Sequence, residues 1–178
     1  PEADLGEVRV VYPEGREFAF GGTRLRFTGP LFHGIEFSRL GWVFATVIEH
    51  GGEKLIHSSD LGGPIIEDYA DWIIEEDPTY LILDGPMTYM LGYTLNMVNF
   101  RRALANARRI VEEVDFEFMV WDHHLPREPR FRERTREVWE LAGRLGKRVV
   151  TARELRYGLR PVVEELGLDR AGCQTPGE

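Results

Sequence analysis

The sequence predicts an α/β domain in which layers of sheet are covered by helices. The first third of the chain consists of short β-prone runs, and the remainder alternates apolar strand-like runs with longer helical ones. This alternation is typical of folds whose helices pack on the faces of a sheet. No internal repeat, low-complexity tract or interdomain linker interrupts the pattern. We therefore expect one domain over residues 1–168, followed by a loose tail over residues 169–178.

The N-terminal strands are predicted to form hairpins. Five short runs are rich in β-branched and aromatic residues: 8–12, 17–20, 23–28, 42–49 and 54–57. Gly21-Gly22 lies between the second and third runs, and Gly51-Gly52 lies between the last two. Glycine pairs at these positions favour tight hairpin turns, because glycine readily adopts the positive φ angles that such turns require.

Helical spacing of apolar residues begins after Pro64, which is placed near a helix start. Four ranges are predicted helices: 65–76, 96–114, 130–145 and 161–166. Three short apolar runs are predicted strands: 80–83, 117–121 and 148–150. Asn96 is a suitable N-cap for the second helix, and Gly146 a suitable end for the third.

Composition excludes several classes of function. The 178 residues carry a net charge of −8, which argues against a broad nucleic-acid surface. No apolar run reaches the roughly 18 residues of a membrane span, and Pro1 begins no signal peptide, so we expect no membrane partner. The single cysteine, Cys173, allows no intrachain disulfide and favours a reducing cytoplasm. One glutamine and three asparagines among many Arg and Glu suggest a thermophilic source.

Side chains able to bind a metal follow four of the predicted strands. They are His33, Asp60, Asp84 and the triplet Asp122-His123-His124. Loops at the carboxyl ends of strands in layered α/β folds converge on one crevice, so these side chains are expected to meet. Imidazole and carboxylate groups together suit Zn²⁺, Mn²⁺ or Fe.

Each of these residues also has a simpler interpretation. His33-Gly34 alone is typical of a turn, Asp60 alone favours a cap for the helix after Pro64, and Asp84 before Gly-Pro is a good turn residue. The adjacent histidines are harder to dismiss, since buried imidazoles are costly unless bonded or liganded. Outside this group, His50 is interpreted as a solvated hairpin residue and His57 as a packed, hydrogen-bonded one.

The order of these motifs resembles the C-terminal half of metallo-β-lactamase-fold hydrolases. His-Gly after a strand is followed by His-Ser-Ser-Asp-x-x-Gly-Pro, then Asp-Gly-Pro, then Asp-His-His, over roughly residues 5–155. An archaeal and thermophile branch of that superfamily carries a similar series. The resemblance implies a four-layer αββα sandwich, to which this chain contributes one sheet with its helices and part of the other.

The resemblance also implies a site for two divalent metal ions, with zinc expected first and manganese or iron as alternatives. His33 takes the place of the superfamily's later histidine, Asp60 that of its bridging aspartate, and His123 or His124 that of its last ligand. We expect His123, because it directly follows the strand-end aspartate. The superfamily's His-x-His-x-Asp-His motif is absent from these residues. We therefore expect the N-terminal half of the fold to come from the same protein or from a separate chain.

The implied function is a metal-dependent hydrolase of unknown substrate, with a metal-activated hydroxide as nucleophile. His124 is the expected general acid, and Asp122 the expected carboxylate that orients an imidazole. Tyr89 and Arg127, together with Tyr93, lie near these loops in sequence and are candidates for contacting an anionic small-molecule substrate. Their simpler interpretation is packed aromatics and a solvated arginine.

Two alternatives remain open at this stage. One is a non-catalytic subunit or binding module that retains half of the metal site. The other is a phosphodiesterase or nuclease, because arginines are frequent in 101–109 and 127–136. Interleaved glutamates make a solvated helix face the simpler interpretation of the second cluster.

Overall fold

The computed structural model describes residues 10–165, and their central feature is a mixed seven-stranded sheet in the order β1-β2-β5-β6-β7-β8-β9. The strands are β1 Glu17–Phe20, β2 Thr23–Phe27, β3 Leu31–Phe32, β4 Trp42–Val43, β5 Thr46–His50, β6 Glu53–His57, β7 Tyr80–Asp84, β8 Phe118–Asp122 and β9 Val149–Val150. Strands β3 and β4 form a separate two-stranded antiparallel sheet. The predicted α/β class is confirmed.

The pairing of neighbouring strands changes from antiparallel to parallel in the middle of the large sheet. Strands β1 and β2, and β5 and β6, pair antiparallel through the predicted hairpins, and β2 also pairs antiparallel with β5. Strands β6, β7, β8 and β9 pair parallel. Parallel neighbours end at the same edge of a sheet. The carboxyl ends of β6, β7 and β8, and the loops that follow them, therefore lie side by side.

The parallel strands are connected through helices. The helices are α1 Glu67–Glu76, α2 Met97–Glu113, α3 Phe131–Arg134, α4 Arg136–Leu145, α5 Ala152–Tyr157 and α6 Val162–Glu165, with 3-10 turns at Thr88–Met90 and Leu125–Arg127. Asn96 caps α2 as predicted, because its side chain accepts a hydrogen bond from the backbone N–H of Asn99 at 2.8 Å. None of the helices in residues 10–165 has the length and apolar character needed to cross a membrane.

One face of the sheet packs against the helices and forms the core. Alternate strand residues such as Ile56, Leu81, Met119 and Trp121 are fully buried there. Helices α1, α2 and α4 supply the apolar residues that cover them. Burial of these side chains, at roughly 25 cal/mol per Å² of apolar surface, is the main contribution to the stability of the domain.

The opposite face of the sheet is also apolar but only partly buried. The backbone register aligns one apolar side chain from each of six consecutive strands in a single row: Phe18, Leu25, Ile48, Leu55, Tyr80 and Phe118. At one end of this open face, Phe18, Leu25 and Phe27 line a groove of about 620 Å³, and Phe20 at its rim is 63% exposed. A contiguous exposed apolar surface of this kind marks a contact surface.

Two predicted elements are divided in the structure. The helix predicted over 130–145 breaks at Thr135, whose buried hydroxyl donates a hydrogen bond to the carbonyl of Phe131 at 2.7 Å. A threonine hydroxyl that bonds a carbonyl of the preceding turn disturbs helical geometry. The strand predicted over 42–49 is two strands, because β4 pairs with β3 and β5 pairs with β2.

Other differences lie at the ends of the chain. Helix α5 was not predicted, although Thr151 and Glu154 form a capping box at its start, which is a signal visible in the sequence. The helix predicted over 161–166 is confirmed as far as α6 extends, and position 166 lies outside the described residues. Also outside the described residues are Cys173, the predicted tail 169–178 and positions 8 and 9 of the strand predicted over 8–12. Residues 10–12 of that predicted strand are described and do not form a strand.

Candidate metal centre

Three loops, which follow β3, β6 and β8, meet at the carboxyl edge of the parallel strands. The loop after β6 carries Asp60, and the loop after β3 carries His33. These two loops approach closely at Gly62 and Gly34: a Cβ atom at Gly62 would lie 3.1 Å from the Gly34 Cα, and both glycines have positive φ. Strand β3 is held beside α1 because the Phe32 N–H donates to the Tyr69 hydroxyl at 2.8 Å. Burial raises the pKa of the Tyr69 phenol.

A buried carboxylate at the end of β7 holds the neighbouring loops in place. The Asp84 side chain accepts hydrogen bonds from the backbone N–H of Gly62 at 2.6 Å and from that of His124 at 3.2 Å. Its own backbone N–H donates to the Ser58 hydroxyl at 2.9 Å. Asp84 is only 4% exposed. A buried carboxylate requires such donors, and here they join the loop after β6 to the loop after β8.

The same carboxylate orients the imidazole of His124. Nδ1 of His124 lies 2.9 Å from both carboxyl oxygens of Asp84, and the histidine is 7% exposed. A neutral imidazole that donates Nδ1–H to a carboxylate presents the lone pair of Nε2 on its other side. This is the arrangement in which proteins most often hold a metal-binding histidine.

The other predicted residues lie around His124. Its ring centroid is 6.1 Å from that of His33 and 4.4 Å from that of His123. Nε2 of His123 lies 3.5 Å from Oδ1 of Asp60, and both side chains are about half exposed. The structure therefore brings His33, Asp60, His123 and His124 into one neighbourhood.

The backbone at this site adopts unfavourable conformations at two positions. His123 has φ of 63° and Ser59 has φ of 57°, in the left-handed region that non-glycine residues rarely occupy. Such conformations cost on the order of 1 kcal/mol each and persist where the surroundings enforce them. Asp122 enforces the first, because its Oδ1 accepts the backbone N–H of His123 at 2.7 Å.

Arg127 and Tyr89 extend the site outward. The Arg127 guanidinium donates to the Tyr89 hydroxyl at 3.3 Å and to the backbone carbonyl of His123 at 3.2 Å, and its Nη2 lies 3.4 Å from Nε2 of His123. These contacts place a positive charge beside the half-exposed imidazole. Tyr93, which was considered with them, is 85% exposed.

A narrow cleft of about 70 Å³ opens between the loops. Its lining includes Asp60, Asp84, Asp122 and His123, so several donor groups face one small volume. His57 lines it as well and is exposed, with Nδ1 accepting the Ser59 N–H at 3.2 Å. The interpretation of His57 as a packed residue is therefore wrong, although it is hydrogen-bonded as expected.

Two roles assigned from the sequence are corrected by the geometry. Asp122 does not orient an imidazole: its two oxygens accept the backbone N–H groups of His123 and Ala152. Asp84, which was considered as a turn residue or ligand, makes the orienting contact instead. The sequence shows only that Asp84 ends a strand, and the structure adds that this strand neighbours β8 and that Asp84 pairs with Asp122 in the register.

Asp60 does not act as a helix cap. Helix α1 begins after Ile66, and no side chain caps it. Instead, the Asp60 carboxylate lies 3.5 Å from Nε2 of His123. The simpler interpretation of Asp60 is therefore excluded.

The described residues do not close a metal site by themselves. Over positions 10–165, no three His, Cys, Asp or Glu side chains are arranged as a set that could hold a metal ion. The four predicted ligands form a neighbourhood with room between them. The metal assignment therefore stays a prediction.

Comparison with known proteins gives the family context. The chain is 38% identical over 138 residues to a UPF0282 protein of Methanopyrus kandleri, an alignment that covers 76% of this chain and 46% of that protein. It is 35% identical to a UPF0282 protein of Korarchaeum cryptofilum, over 84% of this chain and 49% of that protein. Its homologues are archaeal UPF0282 proteins. These relatives come from thermophilic archaea.

The chain spans about half the length of the relatives that it matches. No protein-family model matches it. Among solved structures, CmlA, a diiron β-hydroxylase from Streptomyces venezuelae, matches with a TM-score of 0.45 and 12% identity, over 78% of this chain and 32% of that one.

Proposed function

We propose that this chain supplies half of the dinuclear metal centre of a metal-dependent hydrolase with a metallo-β-lactamase-like αββα sandwich. Zinc is the first expectation for both ions, with manganese or iron as alternatives. His33, Asp60 and one or both of His123 and His124 are the ligands from this chain. The observation that carries the proposal is the buried Asp84–His124 pair at 2.9 Å, at the strand edge where His33 and Asp60 also lie.

The donor groups fit a borderline divalent cation. Imidazoles and carboxylates are the ligands of catalytic zinc, and at least one of the imidazoles here is oriented by a carboxylate behind it. This favours His124, rather than the His123 expected from the sequence, as the better-supported ligand. His123 is more exposed and lies beside Arg127, which suits a group that contacts substrate or transfers a proton.

A bound pair of divalent ions would lower the pKa of a coordinated water towards roughly 7 and polarise the substrate's carbonyl or phosphoryl oxygen. The chain's own residues then have separate tasks. Asp84 keeps the His124 imidazole in one tautomer and one orientation. Arg127 and Tyr89 form a polar pair at the rim, where a guanidinium can bind an anionic oxygen of the substrate.

The rest of the fold is proposed to cover the open apolar face of the sheet. That face has an apolar row six strands wide, and this chain aligns with only about half of the length of its relatives. A second sheet packed there would bury the row and complete the sandwich. We propose that this second sheet carries the His-x-His-x-Asp-His ligands, in the same protein or in a separate chain.

Charge pairing disfavours the nuclease alternative. Arginines on α2 pair with acidic side chains, as Arg102 does with Glu67 at 2.5 Å and Arg109 with Asp71 at 2.7 Å. Arginines of α3 also pair with acidic side chains, as Arg134 does with Glu128 at 2.7 Å. Arginines engaged in this way offer little charge to a phosphate backbone.

Metal analysis of the full-length protein tests the proposal. We expect about two ions per protein in the wild type, and fewer in His33→Ala. His50→Ala is the matched control, because His50 lies at a hairpin tip, exposed and bonded to Thr23. Equal metal content in the two variants would contradict the metal assignment. A metal-free protein that binds a small molecule through these loops would favour the binding-module alternative.

A further inference from the structure

A second cavity opens beside the candidate metal centre. It has a volume of about 380 Å³ and lies between the loop that follows β3 and the loop that follows β7. His33 lines it and also belongs to the metal-centre neighbourhood. The cavity therefore adjoins the proposed metal centre at His33, and we call it the side cleft.

The walls of the side cleft are mostly apolar. Ile35 and Leu40 form one side and are 43% and 61% exposed, while Met87 and Met90 belong to the other. Exposed branched side chains around a concave surface indicate a site that is covered when a ligand is present. Methionine side chains are flexible and adapt to ligands of different shape.

One charged residue lines the side cleft. Arg39 is exposed, and it forms no ion pair with any residue in positions 10–165. In contrast, Arg102 and Arg109 on α2 pair with Glu67 and Asp71. A guanidinium at the edge of an apolar cleft is suited to a carboxylate or phosphate whose apolar portion fills the cleft. The volume falls within the range of pockets that bind small molecules.

We propose that the side cleft binds the apolar portion of a small amphiphilic anion, with the anionic group at Arg39 and the hydrolysable bond towards His33. This assigns the substrate class of the proposed hydrolase and rests on that proposed function. The substrate is then a molecule with a medium-length acyl or aromatic group and one negative charge. A large polymer such as a nucleic acid does not fit this description.

The experiment measures binding of straight-chain carboxylates, from propanoate to octanoate, to full-length protein treated with a chelator. Removing the metal first prevents the probe from binding to the metal ions. We expect affinity to rise by about two- to fourfold with each added methylene until the cleft is full. Alkyl phosphates of the same lengths, run in parallel, show which anion Arg39 prefers.

Variants test the two ends of the probe separately. Met90→Trp and Leu40→Trp fill the cleft and should abolish the dependence on chain length. Arg39→Gln should lower affinity for the anions by about three- to fivefold and leave affinity for alkanols unchanged. Leu145→Trp and Arg144→Gln are matched controls on exposed positions of α4 and should bind like the wild type.

The outcomes separate this inference from the proposed function. Binding that is independent of chain length, or equal in Met90→Trp and Leu145→Trp, overturns the side cleft as a ligand site. So does an absence of binding because another segment of the full-length protein fills it. If the chain-length dependence holds but Asp60→Asn retains its metal, the cleft stands and the hydrolase proposal fails.

Discussion

The ion pair that joins α1 to the sheet allows a quantitative prediction. Glu76, in the last turn of α1, accepts hydrogen bonds from Arg26 at 2.6 Å and 2.8 Å and from the Lys54 ammonium at 3.0 Å. Its side chain is 15% exposed. The hydrogen bonds from Arg26 are the largest cause of a low pKa, and together with Lys54 they reduce the pKa of Glu76 from its ordinary 4.5 to about 2.

The magnitude follows from the two pKa values. They differ by about 2.5, and each unit corresponds to about 1.36 kcal/mol, so the ionised form gains at most roughly 3 kcal/mol on folding. Solvent screens a pair at the edge of the sheet, so we expect about 2 kcal/mol. Because the folded pKa is depressed, this stabilisation is present above pH 4.5 and is lost as the pH falls from about 4.5 to about 2.

Urea unfolding of Glu76→Gln at several pH values tests this. The variant should have a free energy of unfolding lower than wild type by about 2 kcal/mol at pH 7, and the difference should shrink towards zero near pH 2. Glu75→Gln is the matched control, since Glu75 is the neighbouring exposed residue and has no recorded ion pair within residues 10–165. A difference that is absent at pH 7, or constant with pH, would refute the reasoning.

Three further variants test other parts of the structure. Asp84→Asn should weaken metal binding about 10- to 100-fold in a chelator competition, because the imidazole it orients loses a carboxylate partner; unchanged affinity would contradict this role. Gly85→Ala should cost about 1–3 kcal/mol in urea unfolding, since its Cβ would lie 2.5 Å from the Leu125 Cβ, whereas Gly143→Ala, whose added Cβ meets nothing within 4 Å, should cost nothing; equal costs would contradict this. Phe20→Lys should destabilise the full-length protein by about 2 kcal/mol if a second sheet covers the open face, while Tyr157→Lys should have little effect; equal effects would argue against the covering sheet.

The elements of the fold that depend on local signals were predictable. Asn96 starts α2, Gly146 ends α4 and Gly51-Gly52 turns the β5–β6 hairpin, because each of these residues acts through its own backbone or a contact within one turn. The capping box at Thr151 belongs to the same class and was overlooked. The minor sheet was not predictable, since Leu31–Phe32 is too short to carry a periodic pattern.

The position of the candidate site could be predicted from the sequence, but the contacts between its side chains could not. Strand ends in a parallel sheet share an edge, so the grouping of His33, Asp60 and the histidine pair followed from where the strands stop. Which carboxylate contacts which imidazole depends on side-chain directions in the loops. The structure assigns that contact to Asp84, which precedes His124 by 40 residues in the sequence.

The central claim is that Asp60 binds metal, and Asp60→Asn tests it most directly. Asp60 caps no helix, so the substitution should change the free energy of unfolding of the metal-free protein by no more than about 0.5 kcal/mol. If Asp60 bridges two cations, the amide removes a negative charge between them, and metal content measured by elemental analysis of the full-length protein should fall from two ions to one or none. Unchanged metal content in Asp60→Asn would contradict the account.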